Sequence, residues 1–190
     1  MLVLASTSVY RRELLARLRL EFQTFAPQVD ETPLQGEFPE ATALRLARAK
    51  AVAGAATFPT AVIIGSDQVA ELDGVRLDKP GNRDRAREQL TQASGRDVVF
   101  HTAVAVLQAQ TGTMHDRVVP TRVRFRSLTP AQISTYLDRE HPYDCAGSAK
   151  SEALGIALLE HIRGDDPTAL IGLPLIALVS LLNQAGAGPL

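Results

Sequence analysis

The sequence has one cysteine and almost no net charge, and each scarcity excludes classes of protein. Cys145 is the only cysteine among 190 residues, so an internal disulfide is impossible and a cysteine-based zinc site has too few ligands. A formal net charge of -1 argues against a broad nucleic-acid-binding surface, which usually makes a domain strongly basic. Any anion site in this chain must therefore be local.

Long apolar segments are also missing. The most apolar stretch, residues 169–182, is shorter than the roughly 20 residues that cross a bilayer, and Gly172 and Pro174 interrupt it. The first residues, MLVLASTS, lack the basic region of a secretory signal. We therefore expect no membrane partner and a location in the reducing cytoplasm.

Apolar residues make up 45% of the chain and charged residues 22%, as in ordinary globular domains. Apolar runs predict strands at residues 2–5, 61–64, 98–107 and 119–125, with a small hairpin around Asp73-Gly74. Amphipathic and capping patterns predict helices from about residue 9, at 39–56, at 83–93, from 130 to about 141, and after the turn at 164–167. This alternation predicts an α/β fold with a mixed sheet, in one domain spanning residues 1–190.

The first candidate site lies where a strand gives way to a helix. In LASTSVYRRELL, hydroxyl side chains that can cap a helix precede Arg11 and Arg12 in its first turn. The free N–H groups of a helix start attract phosphate, and guanidinium groups add bidentate hydrogen bonds. The alternative is a capped helix with two surface arginines, although cations in a first turn oppose the helix dipole.

The second candidate site is IIGSDQV, which places Asp67 just beyond a predicted buried strand. Sites in α/β proteins are common at such positions. Gly65 would permit close approach of a ligand. An aspartate there can hold a divalent cation, orient a water molecule, or accept its proton during attack on phosphorus. The alternative is an aspartate that caps a turn.

Three further charged residues gain meaning only in combination. Glu31, Lys50 and Lys79 are individually uninformative, because most such side chains are solvated. With Asp67 and the two arginines they supply two carboxylates and four cations. A metal-bound polyphosphate needs this combination, since the ion takes hard oxygen ligands and the remaining phosphate oxygens take positive donors.

Several motifs in order resemble the Maf family of nucleotide pyrophosphatases. They are LASTSVYRRELL, VDET, the alanine-rich helix with Lys50, IIGSDQV, the Lys79-Pro80 turn, HTAVAV, CAGSAKSE and IGLPL. The resemblance covers nearly the whole chain. It implies a fold like that of Maf proteins and inosine triphosphatases, with two lobes around a long mixed sheet and a cleft between them.

The resemblance also implies a reaction, in which water attacks the α-phosphorus of a nucleoside triphosphate and releases a monophosphate and pyrophosphate. Asp67 becomes the proton acceptor, and Glu31 and Asp67 become ligands of a divalent cation, Mg or Mn. The implied phosphate contacts are Ser6, Arg11, Arg12, Lys50 and Lys79.

At three positions the sequence resembles the YceF-like branch of the family, the 7-methyl-GTP pyrophosphatases, more than the branch that acts on dTTP and UTP. They are Gln68, Tyr10 and Glu152. N7-methylation leaves guanine positively charged, which an aromatic face and a carboxylate both favour. Tyr10 would stack on the base and Glu152 would pair with its edge. A dTTP or UTP pyrophosphatase is the alternative within the family.

Two other kinds of protein compete with this interpretation. Cys145 with His141 as base would make a thiol hydrolase, although proximity in sequence does not show that they meet. Arg122, Arg124 and Arg126 alternate along a strand, as in a nucleic-acid or division-regulating binding protein. No aromatic residues interleave with them, as stacking on single strands requires. We expect no nucleic-acid partner, and the arginines leave a homodimer contact open.

Overall fold

The computed structural model describes residues 1–190, which form two compact units. Unit 1 comprises residues 1–68, 102–119 and 166–190, and unit 2 comprises residues 69–101 and 120–165. Three long strands contribute residues to both units. No helix in the structure is long and apolar enough to cross a membrane.

Strands and helices alternate along most of the chain. In order they are β1 (Leu2–Ala5), α1 (Val9–Ala16), β2 (Phe22–Phe25), α2 (Pro39–Ala55), β3 (Val62–Leu72), β4 (Val75–Leu77), α3 (Arg83–Ala93), β5 (Asp97–Gln108), β6 (Thr113–Phe125), α4 (Pro130–Glu140), β7 (Leu159–Arg163) and α5 (Leu175–Gln184). Short 3-10 turns lie at Ala146–Ser148, Leu154–Leu158 and Ala169–Ile171.

The seven strands belong to one sheet with the order β2-β1-β3-β5-β6-β7, and β4 pairs with β3. β1 runs parallel to β2 and β3, whereas the β3–β4 and β6–β7 pairs are antiparallel. The predicted α/β fold with a mixed sheet is therefore confirmed. The cleft and the single domain stay predictions.

The capping residues explain why the predicted helices begin where they do. The Ser8 side chain accepts from the amide of Arg11, and that of Asn82 accepts from the amide of Arg85. Thr129 forms a capping box with Gln132 at the start of α4. These side chains satisfy N–H groups that the first turn of a helix leaves without partners.

The expected strand end before Asp67 is wrong. β3 continues from Val62 to Leu72, so Asp67 lies inside the strand. The pairing with β1 stops at Ala5 opposite Gly65, while β3 goes on to pair with β4 from Ala70. Asp67 thus lies past the end of the neighbouring strand rather than past the end of its own.

Unit 1 has an apolar core on one side of β1 and β3, against α1 and α5. Leu4, Leu14, Ile64 and Leu178 are almost fully buried there. On β3, alternation directs Gly65 and Asp67 to one face and Ile64 to the other. Asp67 therefore faces away from this core.

Helix α2 lies against β3 at Gly65. A Cβ atom added to Gly65 would lie 2.1 Å from the carbonyl oxygen of Ala47 and 2.6 Å from the amide nitrogen of Ala51. Gly65 thus permits the close approach of helix α2. The sequence had suggested that this glycine permits the close approach of a ligand. Because Lys50 precedes Ala51 on α2 and Asp67 shares the face of Gly65, this contact sets the two charged residues beside each other.

Replacing Gly65 with alanine tests the helix contact. The added methyl group would meet backbone atoms that cannot move independently, so we expect a loss of stability of about 1–3 kcal/mol or more. The free energy of urea-induced unfolding measures it. Gly54→Ala on α2 is the control, because its Cβ would meet only side chains, with Ile63 nearest at 3.2 Å. Equal stabilities of the two variants would contradict the packing described.

Candidate active site

A buried ammonium group lies at the centre of the candidate site. The Nζ atom of Lys50 is 2.7 Å from Oδ1 of Asp67 and 2.6 Å from Oε1 of Glu31. Lys50 and Asp67 are 7% and 8% exposed, whereas the Glu31 side chain is 54% exposed. Burying a charge is costly unless an opposite charge accompanies it, so Lys50 and Asp67 compensate each other.

Arg11 reaches the same group of charges from α1. Its Nε donates to the carbonyl oxygen of Gly172 at 2.8 Å, and the Ser66 hydroxyl donates to the same oxygen at 3.0 Å. Burial lowers the pKa of Arg11, and attraction to Asp67 and Glu31 opposes that shift. Two predicted carboxylates and two predicted cations are therefore brought together in unit 1.

The turn between β1 and α1 contains the other predicted residues of this region. Ser6 is buried, and its Oγ accepts from the amide of Ser8 at 3.1 Å. Tyr10 is half-buried and Arg12 is exposed. The predicted strand-to-helix turn is present, while contacts of Ser6, Tyr10 and Arg12 with a nucleotide stay predictions.

Gln68 is tied to other parts of unit 1. Its Nε2 lies within hydrogen-bonding distance of the Thr102 hydroxyl at 2.9 Å and of the carbonyl oxygens of Ala169 and Leu170, both at 3.0 Å. The amide thus links β3 to β5 and to the 3-10 turn at Ala169–Ile171. A substrate contact of Gln68 stays a prediction beside this structural role.

Lys79 and Glu152 belong to unit 2, and both are exposed. Lys79 follows β4, and Glu152 lies between two 3-10 turns. The segment before Glu152 is held in place, because the Ser148 hydroxyl donates to Gln89 at 2.5 Å and the buried Tyr136 hydroxyl accepts from the amide of Lys150 at 3.1 Å. The predicted phosphate contact of Lys79 and base contact of Glu152 are untested by this geometry.

A guanidinium–carboxylate pair that the sequence did not reveal braces the segment carrying Glu31. Nε and Nη2 of Arg45 donate to the two carboxylate oxygens of Glu37 at 2.7 and 2.8 Å. This hydrogen bonding lowers the pKa of Glu37 to about 2. Glu37 precedes α2 and Arg45 lies within it, so the periodicity of one helix or strand does not indicate the pair.

The residues that could hold a metal ion are the carboxylates of unit 1, Glu31 and Asp67. No group of three His, Cys, Asp or Glu side chains lies at metal-binding spacing. Glu31 and Asp67 nevertheless direct carboxylate oxygens at one cation, the Lys50 ammonium. Mg²⁺ commonly binds through one or two carboxylates, with water and substrate phosphates as its other ligands, so the pair fits such an ion.

The thiol-hydrolase alternative finds no support in unit 2. The Cys145 thiol contacts the carbonyl oxygen of Pro142 and the carboxylate of Asp144, and no hydrogen bond joins it to His141. Burial raises the pKa of Cys145 to about 12. Since the thiolate is the nucleophile, this environment disfavours attack by Cys145.

The alternating arginines of β6, Arg122 and Arg124, lie near acidic side chains. Nη1 atoms of Arg122 and Arg124 lie 3.7 and 3.6 Å from the Asp97 carboxylate, and Arg124 lies 3.6 Å from Glu160. These carboxylates would repel a phosphate backbone. The expected absence of a nucleic-acid partner stays a prediction.

Comparison with known proteins gives one family and a consistent set of relatives. The family model for Maf-like proteins matches residues 1–185. A protein of Thiobacillus denitrificans named 7-methyl-GTP pyrophosphatase is 61% identical over 97% of this chain and 92% of its own length. Proteins of the same name from Methylobacillus flagellatus and Bordetella pertussis are 58% and 59% identical, over 97% and 100% of this chain and 96% and 94% of their own lengths.

The low pKa of Glu37 predicts a pH-dependent contribution to stability. Its folded pKa of about 2 lies below the ordinary 4.5, so the contribution is complete above pH 4.5 and is lost as the pH falls toward 2. Glu37→Gln should therefore unfold at lower urea than the wild type at neutral pH, and the difference should shrink as the pH falls below 4.5. A difference that is constant across this range would contradict the shift.

Proposed function

Because this chain belongs to the Maf family, we propose that it is a nucleoside triphosphate pyrophosphatase that hydrolyses 7-methyl-GTP to 7-methyl-GMP and pyrophosphate. The observation that most strongly supports this proposal is the 61% identity, over 97% of this chain, with a relative named for that activity. The paired carboxylates and cations of unit 1 support the same reaction, since a triphosphate needs both kinds of group.

Asp67 acts as the general base. Its Oδ1 atom is held by the Lys50 ammonium in a buried setting, which fixes the direction in which the carboxylate can accept a proton. Water forms the new bond to the α-phosphorus, and its proton passes to Asp67. The bond from the α-phosphorus to the bridging oxygen breaks, and pyrophosphate leaves with the electron pair.

The cationic side chains bind the phosphates. Lys50 and Arg11 already lie near the carboxylates that surround the reaction centre. The helix start after Ser6 adds amide donors for an anion, with Arg12 beside it. The family resemblance assigns a further phosphate contact to Lys79. These fixed charges stabilise the negative charge that develops on the phosphoryl oxygens.

Glu31 and Asp67 would hold a divalent cation, Mg or Mn, beside the substrate phosphates. The Lys50 ammonium between their oxygens supports this, because the same two atoms already converge on one positive charge. Such an ion, when bound, neutralises phosphate charge and favours displacement at phosphorus.

Tyr10 and Glu152 provide the preference for a methylated base. Tyr10 is half-buried and offers an aromatic face, and Glu152 is exposed and offers a carboxylate. Both favour the positive charge of 7-methylguanine over neutral guanine. The lone cysteine supports action in the cytoplasm. The net charge of -1 supports the absence of a nucleic-acid partner, the lack of a long apolar segment supports the absence of a membrane partner, and a homodimer is left open.

Asp67→Asn tests the general base. The variant keeps the side-chain volume but cannot accept the proton, so turnover of 7-methyl-GTP should fall by roughly 10²–10⁴-fold. The assay compares 7-methyl-GTP, GTP, dTTP and UTP with Mg²⁺, Mn²⁺ or neither, and thermal melting verifies folding. Asp116→Asn is the control, because Asp116 pairs with Arg48 on the same helix as Lys50. Full turnover by Asp67→Asn would exclude the proposed base, and preference for dTTP or UTP would exclude the proposed substrate.

Glu152→Gln tests base selection separately from chemistry. Removing the negative charge should reduce kcat/KM for 7-methyl-GTP more than kcat/KM for GTP, since only the methylated base is positively charged. Glu160→Gln, another exposed glutamate of unit 2, should leave the ratio unchanged. An equal loss on both substrates would show that Glu152 does not read the methyl group.

A further inference from the structure

We infer that Arg45 is a positioning residue for this reaction: its bonds to Glu37 and to the Thr32 carbonyl hold Glu31 against the Lys50–Asp67 pair. The inference rests on the proposed function. It concerns how Glu31 is kept in place, whichever of its roles the reaction uses.

Glu31 lies in a segment that lacks the regular hydrogen bonding of a helix or strand. Residues 26–38 contain no helix or strand, and most of them are exposed. Ordering such a segment costs conformational entropy. The Glu31 side chain is 54% exposed, so water weakens its contact with the buried Lys50 ammonium.

Arg45 adds a restraint on this segment from helix α2. Its bidentate pair with Glu37 is the strongest geometry available to a guanidinium, and the Glu37 side chain is only 9% exposed. The same Nη2 atom donates to the carbonyl oxygen of Thr32 at 3.1 Å, the residue directly after Glu31. Glu37 in turn accepts from the amide of Leu34 at 3.1 Å. One guanidinium thus fixes both ends of the segment from Glu31 to Glu37.

The reaction needs the restraint from Arg45 because Lys50 contacts Glu31 and also binds the substrate phosphates. In the free protein Lys50 contacts the Glu31 carboxylate, and a bound triphosphate competes for the same ammonium. The bonds of Arg45 do not involve Lys50 or the phosphates. They therefore keep the segment of Glu31 in position when Lys50 also binds the phosphates. Arg45 and Lys50 both lie on α2, so one helix positions both cations.

Arg45→Lys tests the inference, because lysine keeps the charge but loses the planar set of donors. Arg48→Lys is the matched control: Arg48 makes an equivalent pair with Asp116, at 2.7 and 3.0 Å, from the same helix. Misplacing Glu31 should lower kcat/KM for 7-methyl-GTP by about 10-fold or more in Arg45→Lys. Arg48→Lys should change it by less than about twofold.

A double-mutant cycle separates positioning from general destabilisation. In a Glu31→Ala background, Arg45→Lys should cause little further loss, because the residue that it positions is already gone. Losses that multiply independently would overturn the inference.

Amide hydrogen exchange tests the brace without using turnover. Exchange at Thr32 and Leu34, whose amides donate to Asp30 and Glu37, should accelerate in Arg45→Lys and stay at the wild-type rate in Arg48→Lys. Equal behaviour of the two variants in exchange and in turnover would refute the role of Arg45 while leaving the proposed function intact. A wild-type protein that hydrolyses no nucleotide would instead refute the proposed function, and exchange would still decide whether Arg45 braces the segment.

Discussion

The buried contact between Lys50 and Asp67 is the interaction on which the candidate site depends. Its geometry follows from packing, because only glycine at position 65 lets α2 approach β3 closely enough. Removing one member of a buried ion pair leaves the other charge uncompensated, which costs about 3–5 kcal/mol. The same two side chains therefore link the stability of unit 1 to its chemistry.

The charges around this pair are arranged for a ligand that carries charge of its own. Glu31 and Asp67 share one ammonium, and Arg11 lies near both carboxylates. A triphosphate with its metal ion brings negative charge for the cations and positive charge for the carboxylates. Under the proposed function, these charges are in place before the substrate binds. Preorganised charges of this kind stabilise developing charge at small cost of reorganisation.

Sequence patterns predicted the helices well, because caps and prolines at Ser8, Pro39, Asn82 and Thr129 act locally. They missed β2 and β7, which are short and largely exposed and so lack an apolar signal. The family resemblance placed Lys50 and Asp67 in one site but did not predict that they contact each other. The helix contact at Gly65, the ties of Gln68 and the brace between Glu37 and Arg45 join different segments of the fold and depend on tertiary structure. No local pattern encodes such contacts.

The central claim is that the protein directs water to the α-phosphorus of its substrate. Hydrolysis of 7-methyl-GTP in water labelled with heavy oxygen tests this claim most directly. The products are separated and the label is located by mass spectrometry. Attack of water on the α-phosphorus predicts labelled 7-methyl-GMP and unlabelled pyrophosphate. Label in pyrophosphate, or the release of labelled orthophosphate with 7-methyl-GDP, would contradict it.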